Sequence, residues 1–255
     1  MTIVKLRVSR LSVLGKLPAT VCLLLLAWSA TNGHCSPKQD FVEIGYIPDG
    51  LVQKDGLSGY DTDHDGLQEI ILTDRFSRVW VYEHIGNNQY ERVKAICGNC
   101  VFWTAGDADD DGLSDIVVQT FDSLETFESP APDSHPTHCV WQWEVPFWGN
   151  AARTWITDLD QDGRKELLIV NFSDLIFLLE NSGDNSYTEV FRDSLFYPPY
   201  DDVSEATPGD FDLDGKMEYV ISDVGGNVWV FENVEVGVDS FILTWHGDAL
   251  TSTAY

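Results

Sequence analysis

Four short apolar runs recur along the chain: Ile70-Ile71-Leu72, Ile116-Val117-Val118, Leu167-Leu168-Ile169-Val170 and Tyr219-Val220-Ile221. They are short, mostly β-branched and bounded by turn residues, a pattern that predicts buried strands. A second strand follows each run. Trp80, Thr126, Phe177 and Trp229 mark these second strands at one fixed offset in every repeat. A turn comes next, as at Gly86-Asn87-Asn88, and a third strand begins at Tyr90, Tyr187 or Phe241. A further strand leads in, as in Val101–Thr104 or Arg153–Ile156. No stretch beyond the N-terminal region has a helical period. Four strands in a repeat of about 50 residues predict the blades of a β-propeller, an all-β fold of four-stranded antiparallel sheets. The aromatics at the fixed offset are expected in the core between blades.

The polar segment before each apolar run repeats more strictly. It places acids at Asp61, Asp63, Asp65 and Glu69, then at Asp107, Asp109, Asp111 and Asp115. The third and fourth copies are Asp158, Asp160, Asp162 and Glu166, and Asp210, Asp212, Asp214 and Glu218. The copies start 46, 51 and 52 residues apart. Carboxylates at positions 1, 3 and 5 of one tight loop repel, and a hard divalent cation relieves the repulsion. Calcium takes six to eight oxygens in a flexible shell, which such a loop supplies. Position 7 can add a backbone carbonyl, from Leu67, Leu113, Arg164 and Lys216, and position 9 the last carboxylate. Gly66, Gly112, Gly163 and Gly215 at position 6 permit the sharp turn. About four structural calcium ions are expected. An EF-hand is excluded, because its position 12 needs a bidentate Glu and helices must flank the loop. Here that position holds Leu72, Val118, Ile169 and Ile221.

The segments Gly106–Asp115 and Gly209–Glu218 resemble the calcium loops of FG-GAP repeats, the extracellular propeller family that includes the integrin α-subunit head and VCBS-type repeats. The resemblance spans roughly residues 41–255. It implies a calcium-stabilised propeller used for adhesion, for recognition of proteins or sugars, or as a scaffold beside another domain. Two features depart from the family. The Phe-Gly…Gly-Ala-Pro signature is not clearly present, and only four loops are visible where seven blades are usual. Phe41–Tyr46 resembles the strand that precedes each later loop, so four loop-bearing blades and one extra unpaired strand are expected. The favoured reading is an incomplete ring, continued by further blades or domains of a longer chain.

Composition narrows the partners. The chain has 255 residues, 15 basic against 42 acidic, a net charge of −27. That charge argues against nucleic acid, whose binding needs a basic footprint, and against an anionic membrane face. Residues 1–33 read as a secretory signal. Lys5, Arg7, Arg10 and Lys16 precede the apolar run Val21–Trp28, which is short for a membrane span. Ala27-Trp28-Ser29 and Thr31-Asn32-Gly33 both fit a cleavage site, and the pattern does not choose between them. The mature domain, 34–255, is expected to be secreted or displayed at the cell surface, with no membrane insertion. It keeps Cys35, Cys97, Cys100 and Cys139. An even count outside the cytoplasm favours disulfides. Cys97–Cys100 with Cys35–Cys139 is one of three pairings. His135, His138 and Cys139 cluster in sequence, yet no second CxxC or HxxxH completes a zinc site.

The second repeat is the irregular one. Residues 129–139 are rich in turn formers, and Trp141, Trp143, Phe147 and Trp148 follow. Two readings stand: a loop-rich binding face for a protein or carbohydrate, or aromatics that rebuild the outer strand of the blade around a disulfide. No nucleotide-binding glycine loop, G-x-S-x-G or nucleophile–base pair is visible. A carboxylate pair among Glu125, Glu128, Glu144 and Asp201 has no spacing to support it. A non-enzymatic binding module is therefore expected. The alternative, from the resemblance, is the propeller part of an extracellular enzyme such as a polysaccharide lyase or phospholipase.

Overall fold

The structure, a computed structural model, describes residues 52–86, 89–146, 151–171, 175–194 and 203–248. Each acidic loop joins the first two strands of a four-stranded antiparallel sheet. Blade 1 comprises β1 (Val52–Tyr60), β2 (Glu69–Asp74), β3 (Arg78–Gly86) and β4 (Gln89–Gly98). Blade 2 comprises β5 (Val101–Gly106), β6 (Asp115–Gln119), β7 (Ser123–Glu128) and β8 (His138–Glu144). Blade 3 comprises β9 (Ala151–Thr157), β10 (Glu166–Asn171), β11 (Leu175–Gly183) and β12 (Ser186–Ser194). Blade 4 comprises β13 (Val203–Gly209), β14 (Glu218–Asp223), β15 (Asn227–Glu235) and β16 (Val238–Asp248). Strand order within every sheet follows chain order. The first strands β1, β5, β9 and β13 contact one another in series, and among the described residues the ring is not closed.

The second and third strands of interior blades carry apolar residues on both faces because a blade packs on each side. In β10, Leu168 and Val170 join Ile176 and Leu178 against Tyr219, Ile221, Trp229 and Phe231 of blade 4. The alternate residues Leu167 and Ile169 face Val117 and Leu124 of blade 2, with Phe177 and Leu179. Between blades 1 and 2, Ile71, Val79 and Val81 meet Phe102, Ile116, Val118 and Phe127. Each large side chain so buried contributes about 1.5–3 kcal/mol. These two-sided seams explain why the runs read as continuous rather than alternating.

Phe241–Trp245 lies in β16 as the outer strand of blade 4; Phe41–Tyr46, the expected extra strand, lies outside the described residues. One expectation changes. At the fixed aromatic offset, Thr126, Phe177 and Trp229 are buried, but Trp80 is only half-buried. Its indole N–H donates to Asp74 Oδ2 at 3.0 Å, and the Arg78 and Arg92 guanidinium groups lie over its ring. The seam of blade 1 is filled instead by Val79 and Val81 on either side of it. Cys97 and Cys100 form a disulfide between β4 and β5. Cys139 is a free thiol among the described residues, and Cys35 lies outside them, as do residues 1–33.

Candidate metal centres

Each acidic loop is clamped at both ends by the sheet. The residue before position 1 pairs with position 9 in all four blades: Tyr60 with Glu69, Gly106 with Asp115, Thr157 with Glu166, and Gly209 with Glu218. The eight intervening residues take one shape four times. Position 4 is left-handed at His64, Asp110, Gln161 and Leu213, with φ between 57° and 63°. Position 6 is left-handed at the four glycines, with φ between 89° and 94°, a conformation that glycine adopts without steric cost.

Hydrogen bonds aim the carboxylates. Position 9 accepts the N–H of position 2: Ala108 to Asp115 Oδ2 at 2.8 Å, Leu159 to Glu166 Oε2 at 2.7 Å and Phe211 to Glu218 Oε2 at 2.6 Å. The Thr62 N–H donates likewise to Glu69 Oε2. Position 5 accepts the N–H of position 7, from Leu67, Leu113, Arg164 and Lys216, at 2.7–2.9 Å. In the first, second and fourth loops position 1 accepts the glycine N–H through Oδ2, at 3.0–3.1 Å.

The remaining oxygens are the informative ones. Asp61 Oδ1, Asp158 Oδ1 and Asp210 Oδ1 at position 1 are buried with no hydrogen-bond partner. So are Glu69 Oε1, Asp115 Oδ1 and Glu166 Oε1 at position 9, and Asp109 Oδ1 at position 3. Such atoms are rare, since a buried unsatisfied acceptor costs about 1–3 kcal/mol, more when charged. In the first, third and fourth loops, carboxylate oxygens from positions 1, 3, 5 and 9 lie within 4.8 Å of one another. Two oxygens on one calcium ion stand at most about 5.2 Å apart, twice the bond length. The donor set is all oxygen and strongly anionic, and it fits that ion.

Electrostatics agree. Burial, and then the crowding of like charges beyond the helpful backbone bond, push Asp115 up to about 8 and Glu166 up to about 9. Burial also raises Glu69, Glu218, Asp109 and Asp160. Without a cation, Asp115 and Glu166 hold their protons at neutral pH. Burial works to raise Asp162, but the hydrogen bonds and charge of Arg164 together outweigh it and hold the carboxyl low.

The structure adds two groups of residues that the loop motif does not contain. The first is a glutamate on the third strand of each blade. Asp115, Glu166 and Glu218 lie opposite Glu128, Glu180 and Glu232 across the sheet, and Glu83 occupies the same place in blade 1. These residues recur 21 or 22 positions after each first aspartate, a signal present in the sequence. The second group comes from the following blade. Asn185 of blade 3 donates its N–H to Asp109 Oδ2 at 2.6 Å, and Asn181 Nδ2 donates to the Asp109 carbonyl at 2.6 Å. The Gly237 N–H of blade 4 donates to the Asp160 carbonyl at 2.6 Å. Over the first loop lies the turn-rich segment before β8: His64 Nδ1 is 3.1 Å from the Pro132 carbonyl, and His135 Nδ1 is 2.8 Å from Thr62 Oγ1. That segment is thus a cover for the first loop. Trp141 and Trp143 pack edge-on against Tyr187 and Phe177 of blade 3. Both stand on β8, the outer strand of blade 2, as the second reading expected, but its disulfide is not found among the described residues, where Cys139 is free; Phe147 and Trp148 lie outside the described residues.

Blades joined in series, with the repeated loop on each, define a β-propeller module. Residues 158–221, from the third loop into β14, match the FG-GAP-like repeat family. No curated protein sequence matches the chain. Among solved structures, a protein from Lactobacillus plantarum is similar at TM-score 0.56 and 10% identity, over 81% of this chain and 60% of that one. The WD40 domain of SCAP from fission yeast gives TM-score 0.45 at 9% identity, over 76% of this chain and 42% of that one. The β-fructofuranosidase of Schwanniomyces occidentalis gives TM-score 0.45 at 9% identity, over 78% and 48%. The chain therefore spans 60% or less of the length of these proteins. No helix of the described residues is long and apolar enough to cross a membrane.

Proposed function

We propose that the chain is a secreted or cell-surface β-propeller that binds calcium structurally in its four acidic loops. It serves as a binding, adhesion or scaffold module for a protein or carbohydrate ligand. The observation that carries the metal reading is the recurrence of buried, unpartnered carboxylate oxygens at positions 1 and 9. The extracellular assignment rests on the FG-GAP-like match at residues 158–221, the N-terminal signal pattern and the demand of such loops for millimolar calcium. Extracellular sites bind calcium at about 10⁻⁴–10⁻³ M. At millimolar calcium a site near the tight end adds about 1.4 kcal/mol, and four independent sites about 5–6 kcal/mol. That is comparable to the net stability of a whole domain. The test is a thermal melt of the mature chain in EGTA and across a calcium titration, with bound ions counted by native mass spectrometry. A rise in melting temperature with four or more ions supports the reading. No bound ions and no thermal response would sink it.

A further inference from the structure

The strand glutamate beside each loop meets a different partner in each blade. In blade 4, Lys216 Nζ is 2.9 Å from Glu232 Oε1. In blade 3, Arg164 reaches both Glu180 and Asp162. In blade 1, His135 Nε2 is 3.2 Å from Glu83 Oε2. Thr62 Oγ1 donates to Glu69 Oε2 at 2.7 Å, and His135 Nδ1 lies 2.8 Å from the same hydroxyl. In three blades, therefore, a basic side chain lies against the glutamate.

Blade 2 is built differently. Position 7 is Leu113, which brings no charge. Glu128 Oε2 accepts only the neutral Asn185 Nδ2, at 3.1 Å. Around it stand three more carboxylates: Asp109 and Asp111 of the loop, and Asp184 from the β11–β12 turn of blade 3. One oxygen from each of the four lies within 4.8 Å of the others. Among the described residues no basic side chain forms an ion pair with any of them; Lys165 pairs with Asp110 instead. Asp109 is only 7% exposed, and its Oδ1 is buried with no hydrogen-bond partner.

We infer that Asp109, Asp111, Glu128 and Asp184 form an additional calcium site at the seam of blades 2 and 3, separate from the ion of the second loop. The inference rests on the loop reading above and extends it. Four oxygen donors from two blades suit a hard divalent cation, with water completing the shell on the exposed side of Asp111 and Asp184. The ion does at this seam what Arg164 and Lys216 do in blades 3 and 4, and it ties blade 3 to blade 2.

Calcium bound by the mature chain should be counted by native mass spectrometry in four forms. These are wild type, Glu128→Gln with Asp184→Asn, Asp107→Asn with Asp115→Asn, and all four substitutions together. Each pair should lose one ion and the combination two. A loss of only one ion in the combination means a single shared ion and overturns the seam site, while the loop reading stands. A wild type that binds no calcium overturns both. Leu113→Arg copies the blade 3 arrangement and leaves every ligand side chain in place. It should lower the wild-type count by one and raise the melting temperature in EGTA. An unchanged count in both Leu113→Arg and the Glu128→Gln/Asp184→Asn pair counts against the site without requiring that any one variant fold perfectly.

Discussion

The third and fourth loops share one motif and one backbone shape, yet they sit in different surroundings. Asp160 at position 3 of the third loop is buried, and the Gly237 turn of blade 4 closes over it. Asp212, its counterpart in the fourth loop, is exposed, with Leu213 and Phe211 open to solvent beside it. Glu166 is driven up to about 9, while burial raises Glu218 by a smaller amount. The difference shows that the motif fixes the donors and the neighbouring blade fixes their solvation. A covered loop suffers more when its cation is absent and holds the cation more firmly when present.

Removing all calcium tests this most severely. About 5–6 kcal/mol from four sites, at about 2–4 °C per kcal/mol for a chain of this size, should lower the melting temperature by about 10–20 °C in EGTA. Calorimetry with and without calcium checks it, and a shift under a few degrees would contradict it.

The next effect is one of pH. In the metal-free protein, Glu166 and Asp115 have folded values of about 9 and about 8, above their ordinary 4.5 and 3.8. Their protonated forms are therefore favoured by folding. The associated stability is full below about pH 4 and is lost as pH rises through 8–9. Melting in EGTA should thus improve on acidification from pH 9 to pH 5. Calcium must displace these protons, so its affinity should weaken over the same acidification. Melts at several pH values, with and without calcium, should give opposite slopes.

A smaller effect separates the two loops directly. Asp160→Ala with Asp162→Ala should lower the melting temperature in calcium by several degrees. Asp212→Ala with Asp214→Ala should lower it by about half as much, because no neighbouring turn depends on that loop among the described residues. Equal losses would mean that solvation by the next blade has no energetic weight. The smallest effect is expected from Asn181→Ala, which removes the hydrogen bond to the Asp109 carbonyl. A cost of about 1 kcal/mol, or a few degrees, should appear in calcium. If Asn181→Ala also weakens calcium binding in a titration, the turn of blade 3 contributes to the second site.

Much of this was legible in the chain because the repeat is written in it. The Asp-x-Asp-x-Asp-Gly spacing and the apolar runs located the loops, the second strands and the blade pattern. The third-strand glutamates were also present as a repeat, but at 21 or 22 residues from the loop they read as strand polar positions until register brought them beside position 9. The left-handed residue at position 4 had no signature, since His64, Asp110, Gln161 and Leu213 share no chemistry. The covering contacts were hidden for a different reason. Asn185 meets Asp109 across 76 residues and His135 meets Thr62 across 73. Such contacts arise from how one blade is stacked on the next, which a motif internal to one repeat does not encode.

The serial contact of β1, β5, β9 and β13 has a kinetic consequence. In a row of units that touch only their neighbours, stability is a sum over seams. Blades 2 and 3 are each held from both sides, whereas blades 1 and 4 are each held from one among the described residues. Amide hydrogens should therefore exchange in a graded order. Those of β6 and β10 should report the deepest opening events, and those of β14 and β15 should exchange ahead of them as the end blade detaches and returns.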